Sequence, residues 1–365
     1  MKVAVITRHA ITNYGSLLQT IATQQVIENL GYTCEIIDYV RKDESYEEHE
    51  KTLLKRKPEW NNNRIKRIFY LLLRQPESIA SGRKFAKEQK EYLHLTRRYD
   101  SPDSLKENPP VADIYMTGSD QVWGPVENGT YDDSYCLSFT DKRKISYAAS
   151  FGRTDMNEEL YQYYEKWLSQ YDQISVREDS AVNILTNLGI QATQVLDPTL
   201  LLDSNDWSGM LKPVHLRNYV LVYQLHNDKK LGEYAKKVAK KMGLPLVRIS
   251  TSFHQLVRPG KFIWCPGVGE FLSYVKNAEC MITDSFHGTA FAINFNTQFV
   301  EVLPNNRTGT RNTSILKLTG LSDRVLKNPE DIELAFKKID FSNANEVIQR
   351  ERKKSIKILS SMIGE

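Results

Sequence analysis

The sequence predicts an α/β fold of two Rossmann-like domains that face each other across a cleft. Three observations predict it. Apolar runs of strand length alternate with amphipathic helical stretches, turn residues punctuate the joins, and the alternation lapses once, at residues 203–213. The chain has 365 residues, enough for two domains that each bury a core.

The first forty residues read as one β-α-β unit. Residues 3–7 form a short buried strand, and Asn13-Tyr14-Gly15-Ser16 opens a helix with Leu18, Ala22, Val26 and Leu30 on one side. Gly31 stops that helix, and residues 34–39 make the next strand. Residues 41–105 break the pattern as a charged, helix-biased insertion. Within it, residues 64–74 mix basic side chains with a Phe-Tyr-Leu-Leu-Leu block. Two readings follow: a helix lying on a membrane surface, or a helix packed on its own domain, the usual fate of a short apolar block.

Strands return at 112–117, 144–149 and 173–176, with helices near 158–170 and 178–188. The lapse at 203–213 divides an N-terminal domain, 1–205, from a C-terminal domain, 206–340. The second domain starts with a strand at 219–223. A helix follows with Leu231, Tyr234, Ala235, Val238, Ala239 and Met242 at 3.6-residue spacing, ending at Gly243. Residues 246–249, 280–283 and 299–303 supply further strands. A basic terminal helix, 341–365, is long enough to cross back to the first domain. This succession describes the glycosyltransferase-B architecture, in which ligands sit beyond the carboxyl ends of the strands.

Composition narrows the function classes. The chain is 41% hydrophobic and 26% charged, with 49 basic and 45 acidic residues and a net charge of +4. No aromatic-laced basic stripe supports nucleic-acid binding. The balance suits anionic small molecules or a weak pull toward an acidic membrane. Four scattered cysteines, Cys34, Cys136, Cys265 and Cys280, have neither disulfide-framework nor metal spacing, and no metal site is expected. The N-terminal apolar run is too short for a signal-peptide core, and nothing approaches the ~20 apolar residues of a spanning helix. The expected location is the cytoplasm, at the inner face of the membrane if residues 64–74 touch lipid.

Four stretches carry candidate chemistry. Asn13-Tyr14-Gly15-Ser16 sits where backbone N–H groups and the helix dipole favour an anion or sugar hydroxyls, or where Asn13 merely caps a helix. Gly118-Ser119-Asp120-Gln121-Val122-Trp123 places a carboxylate, an amide and an indole at a strand end. That suits saccharide recognition or proton transfer, or equally an Asx-turn beside a core tryptophan. In Ser175-Val176-Arg177-Glu178-Asp179-Ser180, Arg177 can fork onto a phosphate or carboxylate, or pair with a nearby acid such as Glu178 or Asp197. Thr283-Asp284-Ser285-Phe286-His287-Gly288-Thr289 puts a histidine in a turn at a helix N-terminus, where the dipole favours a neutral ring able to act as a base.

Taken together these residues resemble the polysaccharide pyruvyl transferase family. The resemblance rests on Asn13-Tyr14-Gly15 with Leu18-Gln19, the Gly118–Trp123 run, Ser146-Tyr147-Ala148-Ala149-Ser150-Phe151-Gly152, Val176-Arg177-Glu178, Asp197-Pro198-Thr199-Leu200-Leu201 and Asp284-Ser285-Phe286-His287-Gly288. These motifs are collinear from residue 3 to about 325. The resemblance implies a transferase of glycosyltransferase-B type with phosphoenolpyruvate as co-substrate and no cofactor. Pyruvate would be placed as a cyclic ketal on a sugar of a bacterial surface-polysaccharide precursor, usually lipid-linked.

It further implies catalytic roles for His287 and Asp120 and donor contacts from Arg177, Ser285, His287 and Gly288. Acceptor contacts would come from Asn13, Tyr14, Gly15 and Gln121. One departure stands out: another branch of the family has arginine where this chain has Ser285. Arg153, Arg248, Arg307 and Arg311 are the candidates to replace that cation. Two alternatives remain, a nucleotide-sugar-dependent glycosyltransferase of the same fold and a non-catalytic member of a glycan-assembly complex.

Overall fold

The computed structural model describes residues 1–304 and 309–364. They form two compact units, one of residues 1–198 with 355–365 and one of residues 199–354.

The first unit runs β1 (Lys2–Ile6), α1 (Tyr14–Asn29), β2 (Thr33–Ile36), α2 (His49–Lys55), α3 (Pro58–Asn61), α4 (Arg64–Tyr92) and α5 (Pro102–Glu107). It continues with β3 (Ile114–Thr117), β4 (Lys144–Ala149), α6 (Glu158–Leu168), β5 (Gln173–Val176), α7 (Asp179–Asn187) and β6 (Thr193–Gln194). Its sheet is parallel in the order β2-β1-β3-β4-β5-β6. β1, β3 and β4 are buried on nearly every residue because helices cover both faces of a parallel sheet. The insertion expected at 41–105 is helical, dominated by the 29-residue α4.

The second unit runs β7 (Val220–Tyr223), α8 (Lys229–Met242), β8 (Leu246–Ser250), β9 (Lys261–Trp264), α9 (Val268–Lys276), β10 (Cys280–Thr283), α10 (Phe286–Asn294), β11 (Phe299–Glu301) and α11 (Thr310–Leu318). Its parallel sheet has the order β11-β10-β7-β8-β9. In α8 the expected stripe is the buried one, and Gly243 ends the helix at φ 67°, a left-handed conformation that glycine adopts without a Cβ clash. The last helix, α12 (Ser342–Gly364), contributes its final residues to the first unit. There Ser355 Oγ accepts from the Leu196 backbone N–H at 3.0 Å, and Arg143 donates to the Met362 carbonyl at 2.9 Å. In the second unit Arg352 of the same helix donates to the Leu200 carbonyl at 2.7 Å.

Each strand order reverses once, between β1 and β3 in the first sheet and between β7 and β10 in the second. At such a switch point the following connections leave in opposite directions and open a crevice at the strand carboxyl ends. The second and fourth motifs follow β3 and β10 and so stand at these two points.

The two readings of residues 64–74 meet in one helix. Residues 64–74 do not pack their apolar block into the domain: in α4, Tyr70 is buried while Ile65, Ile68, Phe69, Leu72 and Leu73 are exposed. The helix does pack, but through its other face.

Candidate active site

At the β1/β3 switch point, Asn13 is the N-cap of α1, its side-chain oxygen accepting from the N–H groups of Gly15 at 2.8 Å and Ser16 at 3.4 Å. Tyr14 and Gly15 are buried, the Tyr14 ring lying 5.2 Å from that of Phe85. The next residue, Ser16, donates from Oγ to Oδ2 of Asp120 at 2.5 Å, so the first and second motifs meet. Asp120 has φ 79°, a conformation costly for a residue with a Cβ. Its other oxygen accepts from the Gln121 N–H at 2.8 Å, closing the Asx-turn, and Trp123 is a core residue 4.9 Å from Phe151.

Asp120 also faces the third motif. Arg177 is 5% exposed, and its guanidinium lies 2.7 Å from Asp197, 3.6 Å from Glu178 and 3.8 Å from Asp120. Burial by itself would lower the Arg177 pKa, but Asp197, Glu178 and Asp120 reverse this and hold it above its ordinary value. Ser119 donates to Asp197 at 2.9 Å, and Ser150 donates to Glu178 at 2.6 Å. Three carboxylates thus surround one cation, and Arg177 has the acidic partners that the sequence left as its second reading. Its Nη1 also donates to Ser119 Oγ at 3.4 Å.

In the second unit, the turn after β10 is pinned by the sheet beneath it. Asp284 accepts from the backbone N–H groups of Leu225 at 2.7 Å and His226 at 2.9 Å, bridging the ends of β10 and β7. Ser285 is the N-cap of α10, its Oγ accepting from Gly288 N–H at 3.2 Å. A serine here therefore caps the helix where an arginine could not. Gly288 is demanded by space: a Cβ would stand 2.6 Å from Thr283 Oγ1 and 3.2 Å from the Tyr223 ring. This close approach seats the first turn of α10, with His287 in it, against the switch point. His287 is 6% exposed, its ring edge-on to Phe286 at 5.0 Å.

Among the described cations proposed to replace the missing arginine, Arg311 on α11 stands beside this turn, its guanidinium 5.8 Å from the Phe286 ring centroid. Arg248 is fully buried, bonded to Gln224, Gln255 and the Pro259 carbonyl. Burial, with Arg258 nearby, lowers its pKa to about 10. Arg153 lies over Tyr131 and donates to its hydroxyl at 2.6 Å, in the first unit. Arg307 falls outside the described residues.

Glu301, at the carboxyl end of β11, is a group that sequence reasoning missed. It is fully buried, accepting from Thr289 Oγ1 on α10 and from Asn312 Nδ2 on α11, the latter at 2.7 Å. It therefore ties together the two helices that carry His287 and Arg311. Burial is the main cause that pushes its carboxyl up to about 8. The available signal was a carboxylate inside the apolar run Phe299-Val300-Glu301-Val302-Leu303. Among the described residues, no three His, Cys, Asp or Glu side chains are placed to hold a metal ion.

A family model described as polysaccharide pyruvyl transferase matches residues 13–307. No curated protein matches the chain in sequence. Among solved structures, the UDP-GlcNAc 2-epimerase from Methanocaldococcus jannaschii is similar at a TM-score of 0.51 and 14% identity, over 96% of this chain and 99% of that one. The UDP-GlcNAc 2-epimerase from Neisseria meningitidis bound to UDP-GlcNAc gives 0.51 and 12%, over 98% and 99%. Arabidopsis thaliana UGT89C1 complexed with UDP-L-rhamnose gives 0.52 and 10%, over 99% and 98%. At these identities the likeness shows the fold, which is of glycosyltransferase-B type.

Proposed function

We propose that this chain, which belongs to the polysaccharide pyruvyl transferase family, moves pyruvate from phosphoenolpyruvate onto two hydroxyls of one sugar in a bacterial surface-polysaccharide precursor. The observations that carry the reading are that His287 lies on the first turn of α10, its ring 5.0 Å from that of Phe286, and that the Arg311 guanidinium stands 5.8 Å from the same Phe286 ring. An enol phosphate bears a phosphate and a carboxylate. A helix N-terminus and a guanidinium attract both, and an imidazole in the same turn is suited to move a proton.

The reaction balances without a cofactor. The enol methylene takes a proton and becomes the methyl group. The first sugar hydroxyl adds to the adjacent carbon as its own proton departs. Phosphate then leaves with the electrons of its C–O bond, and the second hydroxyl closes the ketal with loss of its proton. We assign the proton to the methylene, or its removal from a hydroxyl, to His287, and the grip on the donor anion to Arg311. Ser285 and Gly288 shape the turn around them. On the first unit Asp120, held by Ser16, is the proposed acceptor-side group, with Asn13, Tyr14, Gly15 and Gln121 in the same switch-point crevice. The acceptor is a saccharide, and its attachment to lipid belongs to the same proposal.

Isothermal titration of the whole chain with phosphoenolpyruvate, beside the Arg311→Ala variant, tests this. Loss of one charge-assisted contact of about 1.5–3 kcal/mol weakens affinity roughly ten- to a hundredfold. Binding of a uridine diphosphate sugar with no response to phosphoenolpyruvate overturns the donor and favours the nucleotide-sugar alternative. Unchanged affinity in Arg311→Ala overturns that residue's role.

A further inference from the structure

The first half of α4 has two faces of different kinds. On one, Tyr70 is buried, its hydroxyl donating to Glu50 on α2 at 2.7 Å while Lys57 Nζ stands 4.9 Å over its ring. Arg74 pairs with Glu77 at 3.3 Å along this side. The other face carries Ile65, Ile68, Phe69, Leu72 and Leu73, which are 77%, 51%, 52%, 69% and 58% exposed. Their spacing of three, four, seven and eight residues from Ile65 makes one continuous apolar stripe along the helix. A stripe of this kind normally faces a core. Here the core-facing side is already occupied by α2 and α3, so the stripe is not a packing remnant.

The charges beside the stripe are all of one sign. Between residues 64 and 74 every charged side chain is basic: Arg64, Lys66, Arg67 and Arg74. The first three are exposed. Near the start of α4, Trp60 is partly exposed, its ring 5.8 Å from that of Tyr70. An aromatic side chain that is apolar at one end and polar at the other suits the headgroup level of a bilayer.

We propose that this face of α4 rests on an anionic lipid bilayer, with the stripe below the headgroups and Arg64, Lys66 and Arg67 among them. Charge decides between this occupant and a second copy of the chain. Two α4 segments laid against each other would bring like charges together with no acid between residues 64 and 74 to meet them. Anionic headgroups supply the missing sign, and acyl chains take the stripe. No helix among the described residues is long and apolar enough to cross a membrane, so the contact is one of lying on the surface. It stands on the geometry of α4 and is independent of the pyruvyl-transfer reading.

The test is flotation of the full chain with vesicles of phosphatidylglycerol and phosphatidylcholine, against vesicles of phosphatidylcholine alone. The protein floats with the first mixture, and floats less as added salt shortens the screening length. The pair Lys66→Glu with Arg67→Glu weakens binding about fivefold for each cation removed. The pair Phe69→Asp with Leu72→Asp abolishes flotation while its circular dichroism stays that of the parent, since both side chains are exposed. A parent protein that stays unbound with both vesicle types overturns the proposal, as does an aspartate variant that floats equally well. A dimer that fails to float and becomes a monomer in the aspartate variant also overturns it, and makes the second copy the occupant.

Discussion

Arg177 Nη1 donates to Asp197 Oδ2 at 2.7 Å, and the same carboxylate oxygen accepts from Ser119 Oγ at 2.9 Å. Both charged groups are buried, and Glu178 and Asp120 complete the shell around the guanidinium. A cation so enclosed holds the ends of β3 and β5 in place at the switch point. The positive φ of Asp120 is then sustained by its neighbours, with Ser16 on one side and Arg177 on the other.

Removing one member of that pair leaves the other charge buried without its partner. Arg177→Ala and Asp197→Ala should each lower stability by about 3–5 kcal/mol in urea unfolding, with the double variant costing clearly less than the sum. Arg177→Lys should restore little, because an ammonium cannot fork between several carboxylates. Full additivity of the two single variants would show that the pair does not act as one.

His287 carries a different expectation. It sits on the first turn of a helix whose N-cap is Ser285, so His287→Asn leaves the cap and the packing of Gly288 in place. Pyruvyl transfer should fall by about 10²–10⁴-fold, the range of a positioned acid or base, with thermal unfolding little changed. A variant as active as the parent would remove His287 from the chemistry.

Glu301 makes stability depend on pH. Burial first of all pushes its carboxyl from an ordinary 4.5 up to about 8 in the fold, with bonds from Thr289 and Asn312 opposing and Asp284 adding to the rise. Below pH 4.5 both folded and unfolded chains hold the proton, and its contribution to stability is fully present. As pH climbs from 4.5 toward 8 the unfolded chain ionises first and that contribution is lost. Glu301→Gln, which keeps a neutral amide in the same place, should flatten the decline. Urea midpoints of parent and variant between pH 5 and 8 should therefore diverge as pH rises; parallel curves would contradict the assignment.

Much of the fold was legible in the sequence because its signals are local. Asn13 before an apolar ladder marks the start of α1, the 3.6-residue stripe and Gly243 mark α8, and the turn from Thr283 to Gly288 marks a strand handing over to a helix. Each rests on hydrogen bonds and periodicity within a few residues of chain. The site was legible only in part. The sequence identifies the motifs but not what each side chain faces. Arg177 reads equally well as a donor ligand or as an ion-pair partner until the order of β3, β4, β5 and β6 brings Asp197 beside it.

By itself, then, the sequence determined the parallel α/β architecture and put His287, Asp120 and Arg177 at strand ends, since periodicity and capping are properties of short segments. Tertiary structure alone decided the partners. It set Ser16 against Asp120 across 104 residues of chain, closed Glu301 between Thr289 and Asn312, and seated Arg311 over Phe286. It also decided which face of α4 is covered. An apolar pattern records where a helix avoids water, and only the packing of its neighbours shows whether protein supplies the cover.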